Sequence, residues 1–179
     1  MGGADFSEEL FKEVYDNEIP IIAADGGVNF LTEKNISPEL VIGDLDSVSK
    51  QKIQNIEPEK IIRISEQDST DLEKVLFNTQ SPLTIGIGFL GSQIDHELAA
   101  LSALVKFSHK KIIFIGEHDI VFLVPPSFSL SSFNGMRISL YPLDEVKVQS
   151  DGLQWATDGL TMKPTGQLGT SNKAIGKSI

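Results

Sequence analysis

Between residues 19 and 116 short, mainly apolar runs alternate with amphipathic segments, and no other feature restricts the fold as strongly. The runs are "IPIIAA" (19–24), "LVIG" (40–43), "KIIRI" (60–64), "PLTIGIGFLG" (82–91) and "KIIFIG" (111–116). They lack the in-out alternation of a half-exposed strand, so they read as strands covered on both faces. The segments around them have helical spacing. "FSEELFKEVYDN" (6–17) places apolar residues at 6, 10, 11 and 14, with Ser7 as its cap. "VNFLTEKN" (28–35), "STDLEKVLFNT" (69–79) and "DHELAALSALVKFS" (95–108) follow the same logic. In the last of these Leu98, Leu101, Leu104 and Val105 form the face expected to meet the core. Strand-helix alternation of this kind implies βαβ units and a mostly parallel sheet, whose ligands bind at the carboxyl ends of the strands.

The pattern changes after residue 118. "DIVFLV", "SFSLSSF", "MRISLYPL" and "EVKVQS" are short strand candidates separated by turn residues, with no convincing helix among them. The expected architecture is an α/β domain over 1–118, followed by a small all-β, sandwich-like domain over 119–179. The final stretch, rich in Gly, Thr, Ser and Lys, reads as loops with at most one strand and as a candidate binding loop.

Charge narrows the function. Fifteen Lys and Arg against 25 Asp and Glu leave a net charge of −10, which argues against nucleic acid and against an anionic membrane surface as partners. There is no apolar run of about 18 residues, so no transmembrane helix is expected. The acidic start "MGGADFSEEL" lacks an apolar h-region, so no signal peptide is expected. The absence of cysteine removes disulfides and thiolate chemistry and fits a reducing, cytoplasmic setting.

The acids fall in one geometric place. Asp25 follows the first run, Asp44 and Asp46 the second, Asp68 and Asp71 the third, and Asp95 the glycine turn after the fourth. In a parallel sheet these ends share one edge, where so many carboxylates repel one another unless a cation joins them. Each alone has an ordinary explanation as a turn residue or helix cap. Together they point to Mg²⁺, a hard cation that takes carboxylate and phosphate oxygens at once, and so to phosphoryl-type transfer.

Other features are weaker. "GIGFLG" (86–91) matches G-x-G-x-x-G, but the next helix opens several residues late for a dinucleotide turn. No G-x-x-x-x-G-K-[ST] occurs. The glycines at 2–3 and 26–27 read as tight turns, with phosphate contacts from their amides as the alternative. His96 reads as a helix-start residue and the single Trp155 as a core ring or a stacking platform.

Taken together, "AADGGVNFL" (23–31), "PELVIGDLDSVS" (38–49), "QDSTDLEKVL" (67–76), "GSQIDHELAALSAL" (91–104) and "GLQW…GTSN" (152–172) resemble thiamine pyrophosphokinases, in family order and at family-like spacing. The resemblance implies an α/β domain followed by a β-domain, and a homodimer with thiamine at its interface. It implies Mg²⁺-dependent transfer of pyrophosphate from ATP to the thiamine hydroxyl, giving thiamine diphosphate and AMP. By motif, Asp44, Asp46 and Asp71 resemble the metal and catalytic aspartates, and Asp95 the acid of the "x-D-H" motif. Asp71 or Asp95 would accept the hydroxyl proton. Asp25, Asn29, Gln67, Asp68, Thr70 and Gln93 correspond to the nucleotide and metal surroundings, and Ser171 and Asn172 to the thiamine pocket.

The chain departs from the family pattern at Gln93, where Arg is usual, and at Ala100, where Asn is usual. Both ends are short against that pattern. Arg would bring a charged, planar fork for phosphate; Gln brings hydrogen bonds alone. Two alternatives follow: a protein of the same fold that binds thiamine or nucleotide without turnover, and, on "GIGFLG", a dinucleotide-binding oxidoreductase.

Overall fold

The computed structural model describes residues 1–16, 18–48 and 50–179, which form two compact units, Met1–Leu123 and Val124–Ile179. In the first unit the strands are β1 (Ile22–Ala24), β2 (Leu40–Gly43), β3 (Ile61–Arg63), β4 (Thr84–Ile87), β5 (Ile112–Ile115) and β6 (Ile120–Phe122). Its helices are α1 (Glu8–Val14), α2 (Val28–Glu33), α3 (Lys50–Gln54), α4 (Asp71–Asn78) and α5 (Ile94–Lys106).

Two three-stranded sheets carry the strands, in the orders β1-β2-β3 and β4-β5-β6. The first is parallel throughout, in a register that sets Ala24 beside Ile42 and Ile42 beside Ile62. In the second, β4 and β5 are parallel and β6 returns antiparallel to β5. Residues 1–4 lace the two sheets. The Met1 nitrogen donates to Ile22 O at 2.7 Å and Met1 O accepts from Ala24 N at 2.8 Å, while Gly2 N donates to Ile87 O at 2.7 Å. Only glycine fits at position 2, because a Cβ there would lie 2.1 Å from Gly88 O. Its amide is committed to the lacing, which removes it from the candidate phosphate donors.

The core follows from the continuous apolar strands. Ala23 and Val41 bury against Val28, Leu31 and Phe11, while Ile112 and Phe114 bury against Leu72, Leu76, Ala103 and Leu104. Ser7 caps α1 through Leu10 N, as expected, and Thr70 with Glu73 closes a capping box on α4.

The face of α5 matches the expectation at Leu101 and Leu104, which pack in the core, and differs at two positions. Leu98 and Val105 are 56% and 46% exposed, whereas Ala100, Ala103, Leu104 and Phe107 are buried. The buried set has i, i+3, i+4, i+7 spacing and shares Leu104 with the expected one, and its two alanines let the helix lie close to the sheet. The division between the units falls after Leu123 rather than after residue 118, because 120–122 pairs with β5.

The second unit has four short strands, β7 (Arg137–Leu140), β8 (Val146–Lys147), β9 (Thr161–Met162) and β10 (Gly169–Lys173). They pair antiparallel as β7 with β10 and β8 with β9, with isolated bridges at Ser131–Ser178 and Leu153–Ala174. Its buried hydrophobic residues are Leu153, Met162 and Ala174, with Pro142 also buried. No described helix is long and apolar enough to cross a membrane.

Candidate active site

The parallel register delivers the acids of β1 and β2 to one edge. Asp25 opens a short helical turn directly after β1, and Asp44 and Asp46 lie in the turn after β2. One carboxylate oxygen from each of these three residues lies within 4.8 Å of the others. Asp25 is buried and organises the group. Its Oδ1 accepts from Leu45 N at 2.8 Å and its Oδ2 accepts from the Ser47 hydroxyl. Asp25 and Leu45 both take positive φ, 39° and 64°, a conformation that costs roughly 1–3 kcal/mol at a non-glycine residue and that this bonding sustains. Gly43 is required by the same packing, since a Cβ there would lie 2.9 Å from Asp25 Cβ.

Asp44 is held from three sides. Its Oδ2 accepts from Gln67 Nε2 at 2.8 Å, its Oδ1 from Asp46 N at 3.2 Å, and its backbone oxygen from Arg63 Nη1 at 3.0 Å. The Gln67 hydrogen bond, then the Asp46 amide, hold its carboxyl below the usual carboxylate range. Gln67 is presented by a loop folded around Glu66, whose carboxylate accepts from Asp68 N, Ser69 N and the Ser69 hydroxyl.

Asp71 begins α4 and behaves in the opposite way. Burial pushes its carboxyl up, the charges of Asp25 and Asp44 push it further, and Lys74 opposes the rise. Lys74 Nζ lies 3.2 Å from Asp71 Oδ1.

These residues surround one cavity of about 650 Å³ in the first unit, within the span of small-molecule sites, about 300–1,000 Å³. Asp25, Asn29, Asp44, Asp46, Gln67, Thr70, Asp71 and Gln93 line it, as the sequence reading expected of residues in one site. Asp68 and Asp95 do not line it. The Asp68 amide is drawn to Glu66, and Asp95 Oδ1 accepts from the amide of His96 at 3.0 Å. Around it Ser92, Gln93, His96, Glu97, Ala99 and Ala100 line the cavity, while the Asp95 carboxylate is turned back onto its own helix start.

Ser171 and Asn172 lie on β10 of the second unit. Asn172 is buried. Its Oδ1 accepts from Trp155 N and Lys173 N, and its Nδ2 donates to Trp155 O at 2.7 Å, which clamps the Trp155 backbone while the indole stays 55% exposed. Ser171 has φ of 58° at a break in the β7–β10 register, and its amide donates to Ser139 Oγ.

Sequence reading missed Ser47, Lys74 and Glu97 as site residues and placed His96 outside the site. Lys74 carried a legible signal: it is a lysine one turn after Asp71, among Leu72, Val75 and Leu76 on a helix that must bury that face.

The oxygen-only cluster suits a hard divalent cation: three carboxylates converge, and among the described lining residues Lys74 is the only Lys or Arg. The dinucleotide alternative finds no support in the glycine turn, since β4 ends at Ile87 and α5 opens only at Ile94.

The family model described as the catalytic domain of thiamin pyrophosphokinase matches residues 11–115. The chain is 29% identical over 154 residues to thiamine pyrophosphokinase 1 of Oryza sativa subsp. japonica, covering 75% of this chain and 58% of that relative. It is 26% identical over 178 residues to thiamin pyrophosphokinase 1 of Caenorhabditis elegans, covering 88% of this chain and 72% of the relative. It thus spans less than two thirds of the rice protein. The crystal structure of thiamine pyrophosphokinase from Bacillus subtilis shares the fold, with a TM-score of 0.80 at 24% identity, covering 99% of this chain and 90% of that one. The protein from Geobacillus thermodenitrificans gives 0.81 at 20% identity, covering 99% and 87%.

Proposed function

Because this chain belongs to the thiamin pyrophosphokinase family, we propose that it transfers a pyrophosphoryl group from ATP to the hydroxyl of thiamine, giving thiamine diphosphate and AMP. The observation that carries the proposal is the convergence of Asp25, Asp44 and Asp46 on one edge of the parallel sheet, beside a cavity of substrate size.

In this reading Asp44 and Asp46 would hold Mg²⁺, with Asp71 lining the same cavity. Asp25, whose two oxygens already accept hydrogen bonds, shapes the turn that aims them. Bound there, Mg²⁺ supplies charge neutralisation for the polyphosphate oxygens. Gln67 fixes the Asp44 carboxylate through its amide, and Asn29 and Gln93 offer amide hydrogen bonds to the nucleotide. The thiamine oxygen attacks the β-phosphorus in line, the bond from that phosphorus to the α–β bridging oxygen breaks, and AMP departs. Of the two acids considered as proton acceptor, Asp71 lines the cavity and Asp95 does not, so the hydroxyl proton is assigned to Asp71. Its raised pKa suits that role.

The proposal extends to a cytoplasmic homodimer in which Ser171, Asn172 and the exposed Trp155 belong to the thiamine pocket. Gln93 favours a second reading, binding without turnover, because it leaves Lys74 as the only Lys or Arg among the described lining residues. Release of AMP from ATP and thiamine with Mg²⁺ separates the two. A folded protein that binds both substrates and releases no AMP would refute the transferase assignment.

A further inference from the structure

Lys74 is out of place for a residue with a merely structural role. Its side chain is 3% exposed, on the helix face that also buries Leu72, Val75 and Leu76. Lysine is almost never buried to this degree without a partner, and burying an ammonium costs several kcal/mol that an aliphatic side chain would not. A buried ion pair is therefore a poor device for stability. The partner here is Asp71, one turn earlier on the same helix, with Nζ 3.2 Å from Oδ1. Asp71 itself remains 39% exposed at the cavity.

Two further observations bear on its role. The described lining residues include Asp25, Asp44, Asp46, Asp71 and Glu97, against which Lys74 is the single Lys or Arg. Asp71 also stands at the first position of α4, where a free carboxylate would be drawn to the amides of its own helix start. Thr70 and Glu73 already fill the capping box there, and Lys74 pulls the Asp71 carboxylate along the helix instead.

We propose that Lys74 is a positioning residue: from its buried place on α4 its ammonium fixes the Asp71 carboxylate in the orientation the reaction needs. The inference rests on the pyrophosphoryl-transfer reading for what Asp71 does once placed. With its side chain 3% exposed, Lys74 is assigned a role exerted through Asp71.

The test is a double-variant cycle with Lys74→Met, which keeps the stem and removes the charge, Asp71→Asn, and the pair together. Thermal melts establish that each variant folds. Lys74→Met is expected to lower kcat by about 10–100-fold, the usual cost of losing a partner that orients a site carboxylate, with the KM for thiamine within about twofold of the parent. The double variant is expected to be no slower than Asp71→Asn alone, and Lys74→Arg to recover part of the loss. Wild-type kcat in Lys74→Met, or losses that multiply in the double variant, would overturn the proposal. The same cycle is read in the affinity for a Mg²⁺ complex of a non-hydrolysable ATP analogue by calorimetry. Should the parent protein release no AMP, the transfer reading fails by itself, and non-additive against additive losses of affinity still decide the role of Lys74. Should Lys74→Met fail to fold, Lys74→Gln takes its place in the cycle.

Discussion

The two units solve the problem of stability differently. The first buries continuous apolar strands beneath helices, and its core residues alone include Phe11, Leu31, Ile42, Leu76 and Phe114. The second buries little that is apolar and relies on a polar clamp, Asn172, and on backbone bridges between its ends. It also exposes large rings, with Phe133 67%, Tyr141 56% and Trp155 55% exposed. The first unit thus has core to spare for a costly site: positive φ at Asp25 and Leu45, a buried lysine and clustered carboxylates. Functional sites commonly break the local rules that the rest of a fold obeys.

The sharpest way to break the comparison is at the acids. Asp44→Asn is expected to slow AMP release by about 10²–10³-fold, the cost of one preorganised electrostatic group, with the melting temperature preserved. An unchanged rate would remove the metal assignment. Gly43→Ala forces a Cβ against Asp25, and overpacking of this kind costs about 1–3 kcal/mol. Urea unfolding should register that loss, together with weakened Mn²⁺ binding in a titration.

Asn172→Ala probes the other unit. It removes the partner of the part-buried N–H and C=O of Trp155, at about 1–3 kcal/mol, which fluorescence of the single Trp reports during unfolding. Divalent-cation binding should be untouched. Gln93→Arg is expected to tighten nucleotide binding about tenfold by adding a charge-assisted contact, as calorimetry would show.

The smallest effect is on pH dependence. Asp71 binds its proton more readily folded than unfolded, so its contribution lowers stability as pH rises from the ordinary carboxylate range through its raised value. Asp44, Glu66 and Glu73 lie below that range. The Gln67 amide holds Asp44 there, the Ser69 hydroxyl Glu66, and the Lys106 ammonium Glu73. Their stabilisation is present above the ordinary range and is lost as pH falls through their lowered values. Urea midpoints between about pH 3 and pH 7 should show both limbs. Lys74→Met, which removes the cation opposing the rise at Asp71, should move the upper limb to higher pH; an unmoved limb would count against the Asp71–Lys74 pair.

The readable parts of the site share a property: they depend on chain order alone. Asp25, Asp44 and Asp46 follow directly on apolar strands, so a parallel sheet carries them to one edge whatever the details. The misread parts depend on how a side chain turns on its helix. The Asp95 carboxylate turns back onto its own helix start, while His96 and Glu97 line the cavity. In the core Ala100 and Ala103 are buried, and Leu98 and Val105 are not. The lacing by Met1 and Gly2 was illegible because two residues have no periodicity to read.

By itself, then, the sequence determined the α/β unit, the β-rich unit after it, the acidic edge and the family, because periodicity and motif order are local and survive without coordinates. Only the tertiary structure decided that Asp25 clamps the turn bearing Asp44 and Asp46, that Lys74 is buried against Asp71, and that Asn172 holds Trp155. Two of these contacts join residues far apart in the chain, which no linear pattern encodes; the third joins neighbours on one helix, where spacing permits the pair and only packing decides that it is buried.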